Sequence, residues 1–260
     1  MEYVIVGAVA GALTAFLTVK VKALTLPAAL LAVVIILCSC VFGGWFGLTL
    51  LLSAYLTIAV VDRALKERTS SVFKSINKKS GPRDIVQVAA NGIPATVCIV
   101  LYGITEERAF LVGFSVALTE ALADSIASDV GVLSKSEPVS ICRFKRISRG
   151  LSGGVSFLGT ASSFAATVLC ALLYFVFFKN MGEALAVLAF GNLGCLADSI
   201  IGDLLQEKLT CKKCGALTEK PVHCDTETVH ASGIPGLDNC AVNLLSNTFA
   251  AGASVLLLIW

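Results

Sequence analysis

The sequence predicts an all-α polytopic membrane protein of about eight transmembrane helices (seven to nine), with an internal parallel helix-pair repeat. Three observations predict it. First, 56% of the 260 residues are hydrophobic and only 15% are charged, where a soluble domain carries about 25% charged residues. Mean hydropathy is +0.85. Apolar surface in that excess has to face lipid. Second, the apolar residues fall in segments long enough to cross ~30 Å of hydrocarbon. Third, a five-residue motif recurs with the same surroundings.

The predicted spans are 2–19, 24–42, 44–61, 84–102, 107–128, 155–178, 183–205 and 240–260. The first lacks the basic region of a secretory signal and reads as a retained helix. The second and third are divided only by Gly43-Gly44, a tight turn, with a single re-entrant hairpin as the alternative. With the N-terminus outside, 18 of the 20 Lys and Arg lie on the inner side, and only Arg108 and Lys179 lie outside. That asymmetry is the positive-inside rule. It places both termini outside a cell membrane and the long loops 62–83, 129–154 and 206–239 in the cytoplasm. The chain thus divides into N-terminal helices 1–61, a basic cytoplasmic loop 62–83 and a core 84–260. The net charge of +2 points to membrane lipids rather than nucleic acid as surroundings.

The motif Leu-Ala-Asp-Ser-Ile occupies 122–126 and 196–200, and each copy continues to a second acid, Asp129 or Asp203. Each closes a span at the inner face, and a glycine-containing segment then opens the next span. The repeat copies are 119–178 and 191–260, running in the same direction.

The chemistry-bearing residues follow from this map. Glu120, Asp124 and Ser128 share one helix face at i, i+4 and i+8. Asp at mid-span costs about 2.5–3.5 kcal/mol on insertion scales, so Asp124 and Asp129, like Asp198 and Asp203, need partners or a function. Asn91, Asn192, Asn243 and Asn247 serve the site or bond helices together. Arg149-Gly150-Leu151-Ser152-Gly153-Gly154-Val155-Ser156 precedes a helix, just after Lys145 and Arg146. Glycines admit close backbone approach, and a helix N-terminus attracts anions. The segment reads as a phosphate cradle or as an ordinary loop bearing inner-face charge; it is not a Walker A sequence. Four carboxylates beside it imply Mg²⁺ shared with substrate phosphates. Cys211, Cys214, His223 and Cys224 in the 206–239 loop supply the ligand types of a tetrahedral Zn²⁺ site, or are packed thiols.

The motifs QVAANG (87–92), TEALADSIASDVG (119–131), GLSGGVSFLGT (150–160), GNLGCLADSIIGD (191–203) and HC…GIPGLDNCAVN (223–243) occur in this order. They resemble the integral membrane family that contains plant phytyl-phosphate kinase and animal transmembrane protein 19. The chain is more distantly similar to phytol and dolichol kinases. The resemblance begins near residue 83. It implies Mg²⁺-dependent phosphoryl transfer from a nucleoside triphosphate, CTP in the wider group, to a lipidic isoprenoid monophosphate at the cytoplasmic face. Asp124, Ser128, Asp129, Lys145 and the 150–156 loop occupy places comparable to those kinases' motifs. Asp124, Asp129, Asp198 and Asp203 would hold metal. Lys145, Arg146, Arg149, Gly150, Ser152, Gly153, Gly154 and Ser156 would bind phosphate. Glu120, Ser128, Asn91, Asn192, Asp238, Asn239 and Asn243 would support them. Where those kinases read Glu-Gly-Ser, this chain reads Ser-Gly-Gly at 152–154. A kinase acting on a prenol or polyprenol alcohol and an ion-coupled transporter are the alternatives.

Overall fold

The computed structural model describes residues 2–76 and 81–260, less the side chains of residues 70, 71 and 73–75. Its helices are α1 (Glu2–Lys20), α2 (Leu26–Ile76), α3 (Ile85–Thr105), α4 (Arg108–Gly131), α5 (Phe157–Phe178), α6 (Met181–Leu204) and α7 (Asn239–Ile259). Among the described residues these seven are long and apolar enough to cross a membrane. The two strands β1 (Val139–Ser140) and β2 (Gly154–Val155) form an antiparallel pair between α4 and α5. Between α6 and α7 lie β3 (Lys208–Cys211), β4 (Leu217–Thr218), β5 (Val222–His223) and β6 (Thr226–Ser232), ordered β4-β3-β6-β5.

Seven helices match eight predicted spans because α2 folds back on itself. Gly44 leaves helical geometry at φ 57, ψ −144. A Cβ at Gly47 would overlap the Ser39 carbonyl, so the limbs 26–43 and 45–76 pack backbone to backbone. The segment just before α2 and the helix's second limb consequently both meet Arg83. Its amide donates to Ala23 O at 2.8 Å, and its guanidinium pairs with Asp62 at 3.0 Å. The Gly44 conformation is essentially open only to glycine, and nothing lies within 4 Å of its side-chain direction. Gly44→Ala is therefore expected to destabilise the fold by about 1–3 kcal/mol through backbone strain alone, measured as a lowered thermal transition in detergent.

The predicted 62–83 loop is corrected: helix α2 continues to Ile76, well past the apolar stretch. Lys78 and Lys79 of that basic run lie outside the described residues. The other boundaries carry recognisable punctuation. Asp84 and Gln87 form a capping box on α3, and Ser156, Asn180 and Asp238 cap α5, α6 and α7. Glu106 and Lys179 end α3 and α5 in the left-handed conformation, giving tight turns at one pole.

Helix α4 is the hub, buried along most of its length and packed by α2, α3, α5, α6 and α7. At the pole of the tight turns, Phe46 stacks edge-on with Phe114, Tyr174 and Phe178. There Glu183 binds Arg108 and accepts a 2.6 Å bond from the buried Tyr174 hydroxyl. Helix α1, by contrast, packs chiefly on α2 and leaves Ile5, Val9 and Phe16 exposed, as a lipid-facing helix does.

Candidate functional site

At the opposite pole the ends of all seven helices surround a cavity of about 1110 Å³, at or above the usual ~300–1,000 Å³ of small-molecule sites. Helices α4 and α6 run side by side in the same direction, as the repeat predicts. Close approach is possible because Gly191 faces Thr119 and Gly194 faces Glu120. The first acids of the two copies then meet: the Asp124 and Asp198 carboxylates lie within hydrogen-bond reach of each other. Two ionised carboxylates cannot donate to one another, so such a pair needs a proton or a cation between them. Ser246 on α7 donates to Asp198 Oδ2 at 3.1 Å and to Glu120 Oε1 at 2.8 Å, and Asn247 donates to Glu120 Oε2 at 2.8 Å. Glu120 is thereby a buried brace behind the pair, not a cavity residue.

The second acids part. Asp129 turns into the cavity toward Asp62 of α2, again carboxylate to carboxylate. Its Oδ2 is buried with no hydrogen-bond partner among the described residues. Arg83 pairs with Asp62, and its charge also acts on Asp124 and Asp129. Asp203 turns away. It accepts from the Ser140 hydroxyl, from Cys142 N at 3.1 Å and from Lys208 Nζ at 3.3 Å, and it does not line the cavity. The expectation that Asp203 holds metal is corrected: its oxygens are engaged in tying the β1–β2 loop to α6.

The glycine turn lines the cavity, yet much of its polarity is committed. Ser152 N and Oγ both donate to Glu219 Oε1, at 3.0 and 2.7 Å. Burial pushes the Glu219 carboxyl above its ordinary range, against the pull of those bonds. Ser156 caps α5 through Gly159 N at 3.1 Å and donates to Gly131 O at 3.3 Å. Gly154 pairs with Ser140 in the β1–β2 ladder. Gly153 is required by packing, since a Cβ there would lie 2.6 Å from Asp203 N and overlap its Cα. Gly150 sits against Val72 and Ile76. The reading of this turn as a free phosphate cradle is thus narrowed: a carboxylate already occupies the Ser152 donors.

Lys145 and Arg146 are exposed within the β1–β2 loop and do not line the cavity, a second correction. The cations lining the cavity are instead Lys22, Arg63, Lys66, Arg83 and Arg149. Arg149 is held by a 2.9 Å bond to Lys135 O. Ser128 lines the cavity from an exposed position. Asn243 reaches Asn91 and Asn239, each at 3.2 Å, and with its amide turned its nitrogen meets Asp198 Oδ2 at 3.3 Å. Asn192 bonds Thr167 and Leu188 O, both at 2.7 Å, joining α5 to α6. Asp238 is occupied in capping α7. Cys211, Cys214, His223 and Cys224 do converge, apart from the cavity.

Sequence reasoning missed Asp62, Arg83, Ser246 and Glu219. Asp62 had a signal: it is the first acid after Glu2, standing where an apolar stretch turns basic. Arg83, Ser246 and Glu219 had none, because their roles depend on contacts with residues far along the chain.

Fold and site together define a polytopic helical membrane protein with an acid-lined cavity at one pole. The chain belongs to the integral membrane protein family DUF92, whose profile matches residues 9–251. The match reaches well before residue 83, so the N-terminal helices belong to the family as well. The chain is 28% identical over 167 residues to an uncharacterized membrane protein of Methanocaldococcus jannaschii, covering 64% of this chain and 68% of that one. It is 25% identical to protein PGR of Arabidopsis thaliana, covering 90% and 88%. It is 27% identical to the chloroplastic protein VTE6 of the same plant, covering 61% of this chain and half of VTE6. No solved structure matches.

Proposed function

We propose that the cavity carries out Mg²⁺-dependent phosphoryl transfer from a nucleoside triphosphate to an isoprenoid monophosphate at the cytoplasmic face. The observation that carries this reading is the pairing of acids, Asp124 with Asp198 and Asp129 with Asp62, together with a buried Asp129 oxygen that has no hydrogen-bond partner among the described residues. Oxygen-only ligands in a cluster of net negative charge suit Mg²⁺. Asp124, Asp198 and Asp129 would hold it, and it would neutralise charge on the transferring phosphoryl group.

The chain's own residues divide the remaining work. Lys22, Arg63, Lys66, Arg83 and Arg149 would supply positive charge for phosphates around the cavity. Ser246 and Asn247 fix the acids from behind. Leu17, Val21 and Leu24 give the cavity an apolar flank where an isoprenoid tail could lie. An acceptor phosphate oxygen would take the terminal phosphoryl group, leaving nucleoside diphosphate and isoprenoid diphosphate. The packed rings at the far pole favour chemistry at one face over passage through the bundle.

Purified chain in detergent, given Mg²⁺, each of the four nucleotides and phytyl or geranylgeranyl phosphate, should yield the diphosphate, with CTP the favoured donor. Transfer to the free alcohol alone would instead support a prenol kinase. Ion flux in sealed vesicles without transfer in micelles would sink the proposal.

A further inference from the structure

We propose that Cys211, Cys214, His223 and Cys224 bind one structural Zn²⁺ ion that fastens the four-stranded sheet and so holds Glu219 on the Ser152 turn. One ligand atom from each of the four lies within 4.8 Å of every other. Cys214 Sγ is 3.9 Å from Cys224 Sγ and 3.6 Å from His223 Nδ1, and Cys224 Sγ is 3.3 Å from that nitrogen. Tetrahedral Zn²⁺ with its usual bond lengths requires about 3.8 Å between sulfurs and about 3.6 Å between sulfur and nitrogen. A disulfide would need about 2.05 Å, and all ten cysteines are free.

Both turns that present these ligands are shaped for the purpose. In the first, Gly215 takes φ 72, Gly215 N donates to Cys211 O at 2.9 Å, and the amides of Cys214 and Lys213 point at Cys211 Sγ. In the second, His223 pairs with Thr226 across a two-residue hairpin loop. Its central residues, Cys224 and Asp225, have φ 53 and 57. That loop normally calls for Asn or Gly. A cysteine in the left-handed region is strained, and a metal bond at its sulfur would offset that. The sheet also lacks a core of its own: its strands are two to seven residues long, and Leu217, Val222 and Val229 are exposed. Small sheets of this kind depend on a staple.

The staple has a consequence in the cavity. Strand β4 leads directly into Glu219, whose amide donates to Ile76 O at 3.0 Å while its carboxylate holds Ser152. Metal at the two turns thus secures the cavity's sheet-side wall. This is independent of what the cavity binds.

The full-length protein, purified in detergent from zinc-supplemented cells, should contain about one zinc per chain by elemental analysis. The paired variant C214S/C224S, altered at two exposed positions, should lose it. Cobalt added to the stripped wild-type protein should give the visible bands of tetrahedral thiolate coordination. Amide exchange across residues 208–232 should quicken on chelation. Wild-type protein with no zinc and no tetrahedral cobalt spectrum would overturn the proposal, as would full zinc retention in the paired variant.

Discussion

Asp198→Asn and Asp124→Asn are each expected to reduce Mg²⁺-dependent phosphoryl transfer by at least about 100-fold, the scale set by removing one preorganised electrostatic group from an active site. The two carboxylates face each other, so an amide on either side would hydrogen-bond its neighbour directly. That contact would close the place a cation needs, and the protein would still fold. Ser246→Ala should act more mildly. It removes the hydroxyl that braces Asp198 and Glu120, and such supporting groups typically carry about 10–100-fold in metal affinity or activity. Its signature would be a raised Mg²⁺ requirement with some recovery at high Mg²⁺. Steady-state rates at several Mg²⁺ concentrations, with thermal transitions as a folding control, check both. Full activity in Asp198→Asn would remove the acid pair from the mechanism.

Gly153→Ala is expected to destabilise the fold by about 2–5 kcal/mol, combining a left-handed backbone with overpacking. Its φ is 84, and its added methyl would meet the backbone of Asp203, which cannot yield as a side chain tip can. Gly252→Ala on α7 is the matched control, since nothing lies within 4 Å of that position, and it should be neutral or slightly stabilising. Thermal unfolding in detergent distinguishes them. Equal transitions in the two variants would mean that the glycine turn does not rest on α6 as described.

The two expectations differ in how far the sequence foretold them. Asp124 and Asp198 stood out because a carboxylate in an apolar span is costly wherever it sits, and their shared motif marked them as counterparts. Gly153 also stood out, but for a different reason. It reads as a ligand-approach glycine, whereas its place is dictated by a helix backbone fifty residues away. Lys145 and Arg146 misled similarly: basic residues near a glycine turn look like phosphate partners, yet the β1–β2 ladder turns them outward. Asp203 matched Asp129 in motif and spacing, and only the neighbours separate them. Asp129 meets Asp62 across the cavity, while Asp203 finds Ser140, Cys142 and Lys208 on the other side.

By itself the amino-acid sequence determined that this chain is a bundle of apolar helices, that Gly43-Gly44 breaks its second apolar stretch, and that the two acid motifs run in parallel. These are properties of composition, period and charge placement, each set by the chain's local dealings with lipid and water. The tertiary structure alone decided which acids face one another, which donors are already taken and which cations reach the cavity. Such pairings join residues dozens to more than a hundred positions apart, and no local pattern encodes the distance between two side chains that only folding brings together.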